Sequence, residues 1–86
     1  MPEPNPFAQG TCLRLVLPRA ASVEASLFNA AGRRVKTLVS GYAIAGEHIL
    51  RWDCTADDGR PVQAGVYYLR TRLDDEVVTR QLIRSR

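Results

Sequence analysis

The residues able to do chemistry are few and scattered. The only histidine is His48, and the only cysteines are Cys12 and Cys54. A zinc site needs four nitrogen, sulfur or carboxylate ligands, grouped at short spacings. Two distant cysteines and one histidine do not supply that set, so Cys2His2 and histidine-rich catalytic zinc sites are excluded within the chain. A Cys12–Cys54 disulfide requires the first strand and the end of the Trp52 strand to lie within bonding range. The simpler reading is two free, structural thiols. Asp53, Asp57 and Asp58 form an acidic cluster. Calcium takes six to eight oxygen ligands, and this segment lacks the twelve-residue ligand pattern with its terminal glutamate. Turn chemistry accounts for these acids better. Asp53 caps a turn, and Asp57 or Asp58 makes an Asx-turn ahead of Gly59.

Catalysis finds no better footing. Asp74, Asp75 and Glu76 sit together at a predicted hairpin tip, solvated and far from any bond to be cleaved. Ser22, Ser26, Ser40 and Ser85 have no nucleophile motif, and a nucleophile also needs an oriented base. The glycines at 32, 41, 46, 59 and 65 each fit a turn or strand boundary and form no phosphate-binding loop. The reading is a protein that is not an enzyme, with no cofactor, no metal and no small-molecule substrate. Phe28, Tyr42, Trp52, Tyr67 and Tyr68 are too dispersed for a sugar platform. Trp52, Tyr67 and Leu69 are expected in the core, with Tyr68 facing outward beside Arg70.

Charge gives a modest signal. Twelve basic against nine acidic residues leave a formal net charge of +3, and all the basic residues but Lys36 are arginines. Arg70 and Arg72 share one face of a strand, as do Arg80 and Arg84, and together they would form a basic stripe if the two strands pair. Arginine also fills the solvent face of an antiparallel sheet. No aromatic pattern of the RNA-binding kind interleaves with these arginines, so no nucleic-acid partner is expected. No apolar run approaches the roughly 20 residues that span a bilayer, and membrane insertion is not expected. No segment joins a basic region, an apolar stretch and a small-residue cleavage site, so no export signal is expected within the sequence.

The elements that carry these residues read as short strands and tight turns. Residues 1–10 hold three of the five prolines and read as a linker or N-terminal arm, with Phe7 able to pack back on a domain spanning 11–86. Leu13, Leu15 and Leu17 alternate with Cys12, Arg14 and Val16 until Pro18 stops the run. Val23, Ala25 and Leu27 alternate again, and Asn29-Ala30-Ala31-Gly32 follows as a turn. In 33–39 the adjacent Leu38 and Val39 break alternation, which points to a bulge or an edge. Ser40-Gly41 and Ala45-Gly46 read as breaks, 48–53 as a strand around Ile49, Leu50 and Trp52, and 54–63 as a loop turning at Asp57-Asp58-Gly59. The strand 65–73 and the strand 77–83 are joined by so short a link that they form an antiparallel hairpin. No window shows a helical apolar stripe. Strands at this spacing predict an all-β, two-sheet antiparallel sandwich of about seven strands, immunoglobulin-like or fibronectin type III-like. A small barrel is the alternative.

Several of these segments, in order, resemble a known group of bacterial domains. They are Asn5-Pro6-Phe7, Leu27-Phe28-Asn29-Ala30-Ala31-Gly32-Arg33-Arg34-Val35, Leu38-Val39-Ser40-Gly41, Ala45-Gly46-Glu47-His48, Trp52-Asp53, Asp57-Asp58-Gly59-Arg60-Pro61-Val62, Ala64-Gly65-Val66-Tyr67-Tyr68 and Thr79-Arg80-Gln81-Leu82-Ile83. The chain is similar to the C-terminal sorting domain of type IX secretion cargo and to the immunoglobulin-like domain of flagellar hook-capping proteins. The resemblance covers residues 5–84. It implies a sandwich whose signature positions are Gly32, Arg33, Gly46, Trp52, Asp53, Asp58, Gly59, Gly65 and Tyr67. Trp52 and Tyr67 would be core residues, Gly32, Gly59 and Gly65 turn or boundary residues, and Gly46 the start of a strand. Cys54 stands where the tryptophan–aspartate pair is commonly followed by glycine. The resemblance further implies a protein exported through the periplasm to the cell surface or beyond. Its partners would be secretion machinery, domains of the parent protein or assembly subunits. The leading expectation is a non-catalytic sorting and anchoring module; the alternative is an assembly module of hook-capping type that makes protein–protein contacts.

The last strand is the candidate contact surface. Val77, Val78, Leu82 and Ile83 place apolar groups on both of its faces. One face can pack inward, and the other can be covered by a partner or by Phe7. A fully covered strand is the favoured reading; an exposed edge would accept an added strand.

Overall fold

The computed structural model describes residues 9–85. Six strands are present among them: β1 (Thr11–Leu17), β2 (Ala21–Asn29), β3 (Arg34–Ala43), β4 (Gly46–Trp52), β5 (Gly65–Leu73) and β6 (Glu76–Arg84). They form two open antiparallel sheets, β1-β4 and β3-β2-β5-β6. This is the expected immunoglobulin-like sandwich and not a closed barrel. The arm expected at 1–10, with Phe7, falls almost wholly outside the described residues.

Period-two alternation decides which side of each sheet is dry. Leu13 and Leu17 of β1, Val23, Ala25 and Leu27 of β2, Leu50 and Trp52 of β4, Tyr67 and Leu69 of β5 and Leu82 of β6 are all buried. Each is separated from the next in its strand by residues of the opposite face, so the two inner faces close on one another. Trp52 is the largest fully buried side chain. Its ring meets Tyr67 edge-on, with centroids 5.2 Å apart. Its indole N–H donates to the carbonyl of Thr55 at 2.8 Å. Such an edge-to-face pair adds about 0.5–1.5 kcal/mol beyond simple burial.

Two expectations need correction. Among the described residues the strands number six, not about seven. Ser40-Gly41 does not end a strand: β3 runs through it, because Gly41 takes a φ of +142° while still paired with Val23. Residues 54–63 form the expected loop, with an isolated bridge between Thr55 and Pro61. The irregularity expected at Leu38 and Val39 is present. Ala25 pairs Val39 and Ser26 pairs Thr37, so Leu38 is an extra residue in β3; a second shift leaves Val35 unpaired in the same way.

Candidate interaction surface

Several of the residues expected as signature positions sit at turns and strand starts. Asn29 builds the β2–β3 turn: its side-chain carbonyl accepts from the amides of Ala31 and Arg33. Gly32 supplies the left-handed residue that the turn needs, at φ +85°. Arg33 lies in this turn, exposed to solvent. Gly46 opens β4 and Gly65 opens β5. The His48 Nε2–H donates to the carbonyl of Ile44 at 2.8 Å and steadies the β3–β4 connection.

The acidic residues of 53–58 fold the loop. Asp53 accepts from the hydroxyl of Thr55 at 2.6 Å and from its amide at 3.2 Å. The Thr55 hydroxyl is the main cause holding the Asp53 carboxyl below its ordinary range. Asp58 accepts from the amide of Arg60, and Gly59 turns the chain at φ +85°. Asp57 reaches out of the loop altogether. Its amide donates to the carbonyl of Val35, and its carboxylate accepts from the amide of Thr37. Both partners lie near the start of β3, so this loop covers the first part of that edge of the four-stranded sheet. Covering an edge blocks pairing with another chain there. Composition and spacing gave no sign of this role for Asp57, because its partners lie twenty residues away.

Cys54 is buried and Cys12 is half-buried, and both are free thiols. Cys54 holds φ at +65°. That left-handed conformation is the one glycine adopts without penalty, which explains the glycine usual at this place in the resemblance. Here the thiol fills core space beside Trp52 and Tyr67.

The opposite edge of the same sheet is β6, and it is built differently. Leu82 is 2% exposed, whereas Val77 is 48% and Val78 is 60% exposed. The favoured reading of a fully covered strand therefore fails over its first half, among the described residues. The reason is sheet width. Val78 shares its face with Leu82 and points toward the β1-β4 layer. That layer is two strands wide and covers β2 and β5 but not the start of β6. Val78 and Arg80 are left walling an apolar groove of about 180 Å³ with Leu13, Leu15, Leu69 and Leu73. Val77 lies on the other face, opposite Arg72. Ile83, further along that outer face, is 39% exposed. Val16, Tyr42, Ile44 and Ile49 are also exposed, spread over β1, β3, the β3–β4 connection and β4, and scattered apolar residues at a surface are ordinary.

Pairing of β5 with β6 does not unite the arginines into a stripe. Arg70 stands opposite Thr79, and Arg80 stands opposite Leu69. Arg70 and Arg72 therefore occupy the outer face, while Arg80 and Arg84 occupy the inner one. Among the described residues no three His, Cys, Asp or Glu side chains converge as a metal site.

No curated protein matches this sequence as a relative. The sequence does match the FlgD Ig-like domain family over residues 5–75, most of its length. Two antiparallel sheets, an aromatic core shared between them and acids committed to turns are what a non-catalytic immunoglobulin-like domain requires. On its fold and its matched residues together, the chain belongs to the FlgD Ig-like domain family.

Proposed function

We propose that this domain is a non-catalytic assembly module of an exported bacterial protein, making protein–protein contacts through the β6 edge. One observation carries the reading. The domain covers the start of one edge of its main sheet with Asp57 and presents at the other an adjacent apolar pair, Val77 and Val78, on a strand that pairs β5 on one side and, over 76–80, has no strand on its other side among the described residues. Exposed strand edges pair readily with other chains. A fold that covers the start of one edge and leaves 76–80 of the other without an added strand has an orientation for assembly. The family assignment supports the same class of function and an extracytoplasmic setting, at the surface or beyond.

The sorting and anchoring reading uses the same strand, with secretion machinery as the partner. It draws support from the exposed terminal strand alone, since the family match ends at residue 75, ahead of β6. One experiment separates the two. Val77→Lys and Val78→Lys are introduced into the protein that carries this domain, in its native host, and export and surface incorporation are measured separately. The assembly reading predicts normal export with lost incorporation. Lost export points to sorting. Normal export with normal incorporation overturns both.

A further inference from the structure

The backbone of β6 decides which groups an added strand can meet. Leu73 and Glu76 pair across a two-residue turn. Residues in that position exchange both of their backbone bonds, and alternation repeats the arrangement at every second pair. The backbone groups of Glu76, Val78 and Arg80 therefore face β5. Those of Val77 and Thr79 face outward, each with one donor and one acceptor, along an edge with no strand beside it over 76–80 among the described residues.

The inner-face side chains of the same stretch run Glu76, Val78, Arg80. Val78 is exposed beside the apolar groove, Glu76 and Arg80 are exposed as well, and neither charge has an ion-pair partner among the described residues. Read antiparallel, that order complements itself. A second β6 centred on Val78 sets Val78 opposite Val78 and Glu76 opposite Arg80 on either side. The same register sets Val77 opposite Thr79, and each such pair exchanges two bonds, so every outward donor and acceptor is used. Glu76 and Arg80 then face each other in non-hydrogen-bonded pairs, with Cα atoms about 4.5 Å apart, where cross-strand side chains lie closest. Sliding the register by two residues either way puts Glu76 opposite Val78 or Leu82 and loses the charge pairs. Sliding it by one sets outward groups against groups already bonded to β5. The pairing stops at Arg80, short of Gln81, Ile83 and Ser85, which have partners of their own. The relation is a twofold axis normal to the sheet, so both inner faces stay on one side and the two apolar grooves adjoin across it.

We infer that the chain docking on β6 is a second copy of this one, its β6 antiparallel to the first, with Val78 on the twofold axis and a Glu76–Arg80 pair on each side. The inference rests on the proposed use of the β6 edge and specifies its partner.

The test is sedimentation of the full chain from micromolar to millimolar concentration. It compares the unchanged sequence, Glu76→Arg, Arg80→Glu, the two changes combined, and an equimolar mixture of the two single variants. The unchanged chain is expected in a monomer–dimer equilibrium, weak because the shared strand is short. Each single variant sets like charges opposite each other in both pairs and is expected to raise the dissociation constant at least about tenfold, which is 1.4 kcal/mol. In the mixture, the two arginines of one variant face the two glutamates of the other, so the dimer returns as a heterodimer. In the combined variant it returns as a homodimer. Both sites are exposed, and far-UV circular dichroism checks that each variant keeps the fold; the milder Glu76→Gln and Arg80→Gln are expected to weaken the dimer less. A dimer indifferent to the charge reversals, or one that mixing does not restore, overturns this pairing. A chain that stays monomeric at millimolar concentration overturns the second copy as partner. The β6 edge itself then stands or falls with Val77→Lys and Val78→Lys in the native host.

Discussion

Trp52→Phe tests how far the core and the loop that covers the start of β3 are one structure. Trp52 is fully buried, meets Tyr67 edge-on and donates its indole N–H to the Thr55 carbonyl. Phenylalanine keeps a ring against Tyr67 but removes the second ring. The lost apolar surface is worth about 1 kcal/mol. The space left, on the order of 40 Å³, costs about 1 kcal/mol at roughly 24 cal/mol per Å³. Leaving the part-buried Thr55 carbonyl without its donor costs about 1 kcal/mol more. The expected total is about 3 kcal/mol. A chain of 86 residues has roughly 4–13 kcal/mol in all, so the variant should fold with a much lower urea midpoint. Far-UV circular dichroism reads that midpoint without needing the tryptophan. Hydrogen exchange of the Thr37 amide reads the second consequence. Thr55 anchors the loop from which Asp57 reaches Thr37, so this amide should exchange faster than core amides lose protection. A loss below about 1 kcal/mol, or unchanged relative protection at Thr37, would refute the coupling.

Other expectations follow from single contacts. Asp57→Ala removes the acceptor for the Thr37 amide and should cost about 1 kcal/mol while promoting concentration-dependent association in light scattering. Asp57→Asn keeps an acceptor and should restore most of both. The Tyr67 phenol donates to the Gln63 carbonyl at 2.5 Å, and burial raises its pKa above the ordinary 10.0. The unfolded chain therefore releases this proton first as pH rises, so its contribution is intact below about pH 10 and is lost above it. Urea midpoints between pH 8 and pH 11 should fall at the alkaline end, and Tyr67→Phe should flatten that fall. Val78→Lys lies at an exposed position and should change stability by no more than about 0.5 kcal/mol, measured by the same urea titration.

Alternation made the dry faces of β1, β2 and β5 legible in the sequence, because side-chain direction along a strand is set by period two. The turn chemistry of Asn29-Gly32 and Asp58-Gly59 was legible for a similar local reason. The edges were not. Which strand lies outermost, and how far the opposing layer reaches, depends on contacts between segments distant in sequence. Val78 alternates correctly with Leu82 and still stands in solvent, since β1-β4 is too narrow to cover it. Asp57 resembles any turn aspartate until the fold brings β3 beside it. The arginines divide between faces through the β5–β6 register, which spacing within each strand leaves open. Trp52 and Tyr67 were placed correctly in the core, but the bond from Trp52 to Thr55, and through that loop to β3, appears only in three dimensions.

The most direct test of the account is photocrosslinking from position 78 in the native host, with a benzophenone amino acid in place of Val78. A second variant carries it in place of Ile49, an exposed apolar residue on the other sheet. An assembly contact at the β6 edge predicts a discrete protein adduct from position 78, lost when Val77→Lys is added, and none from position 49. Adducts from position 49 alone, or adducts from 78 indifferent to Val77→Lys, would contradict it.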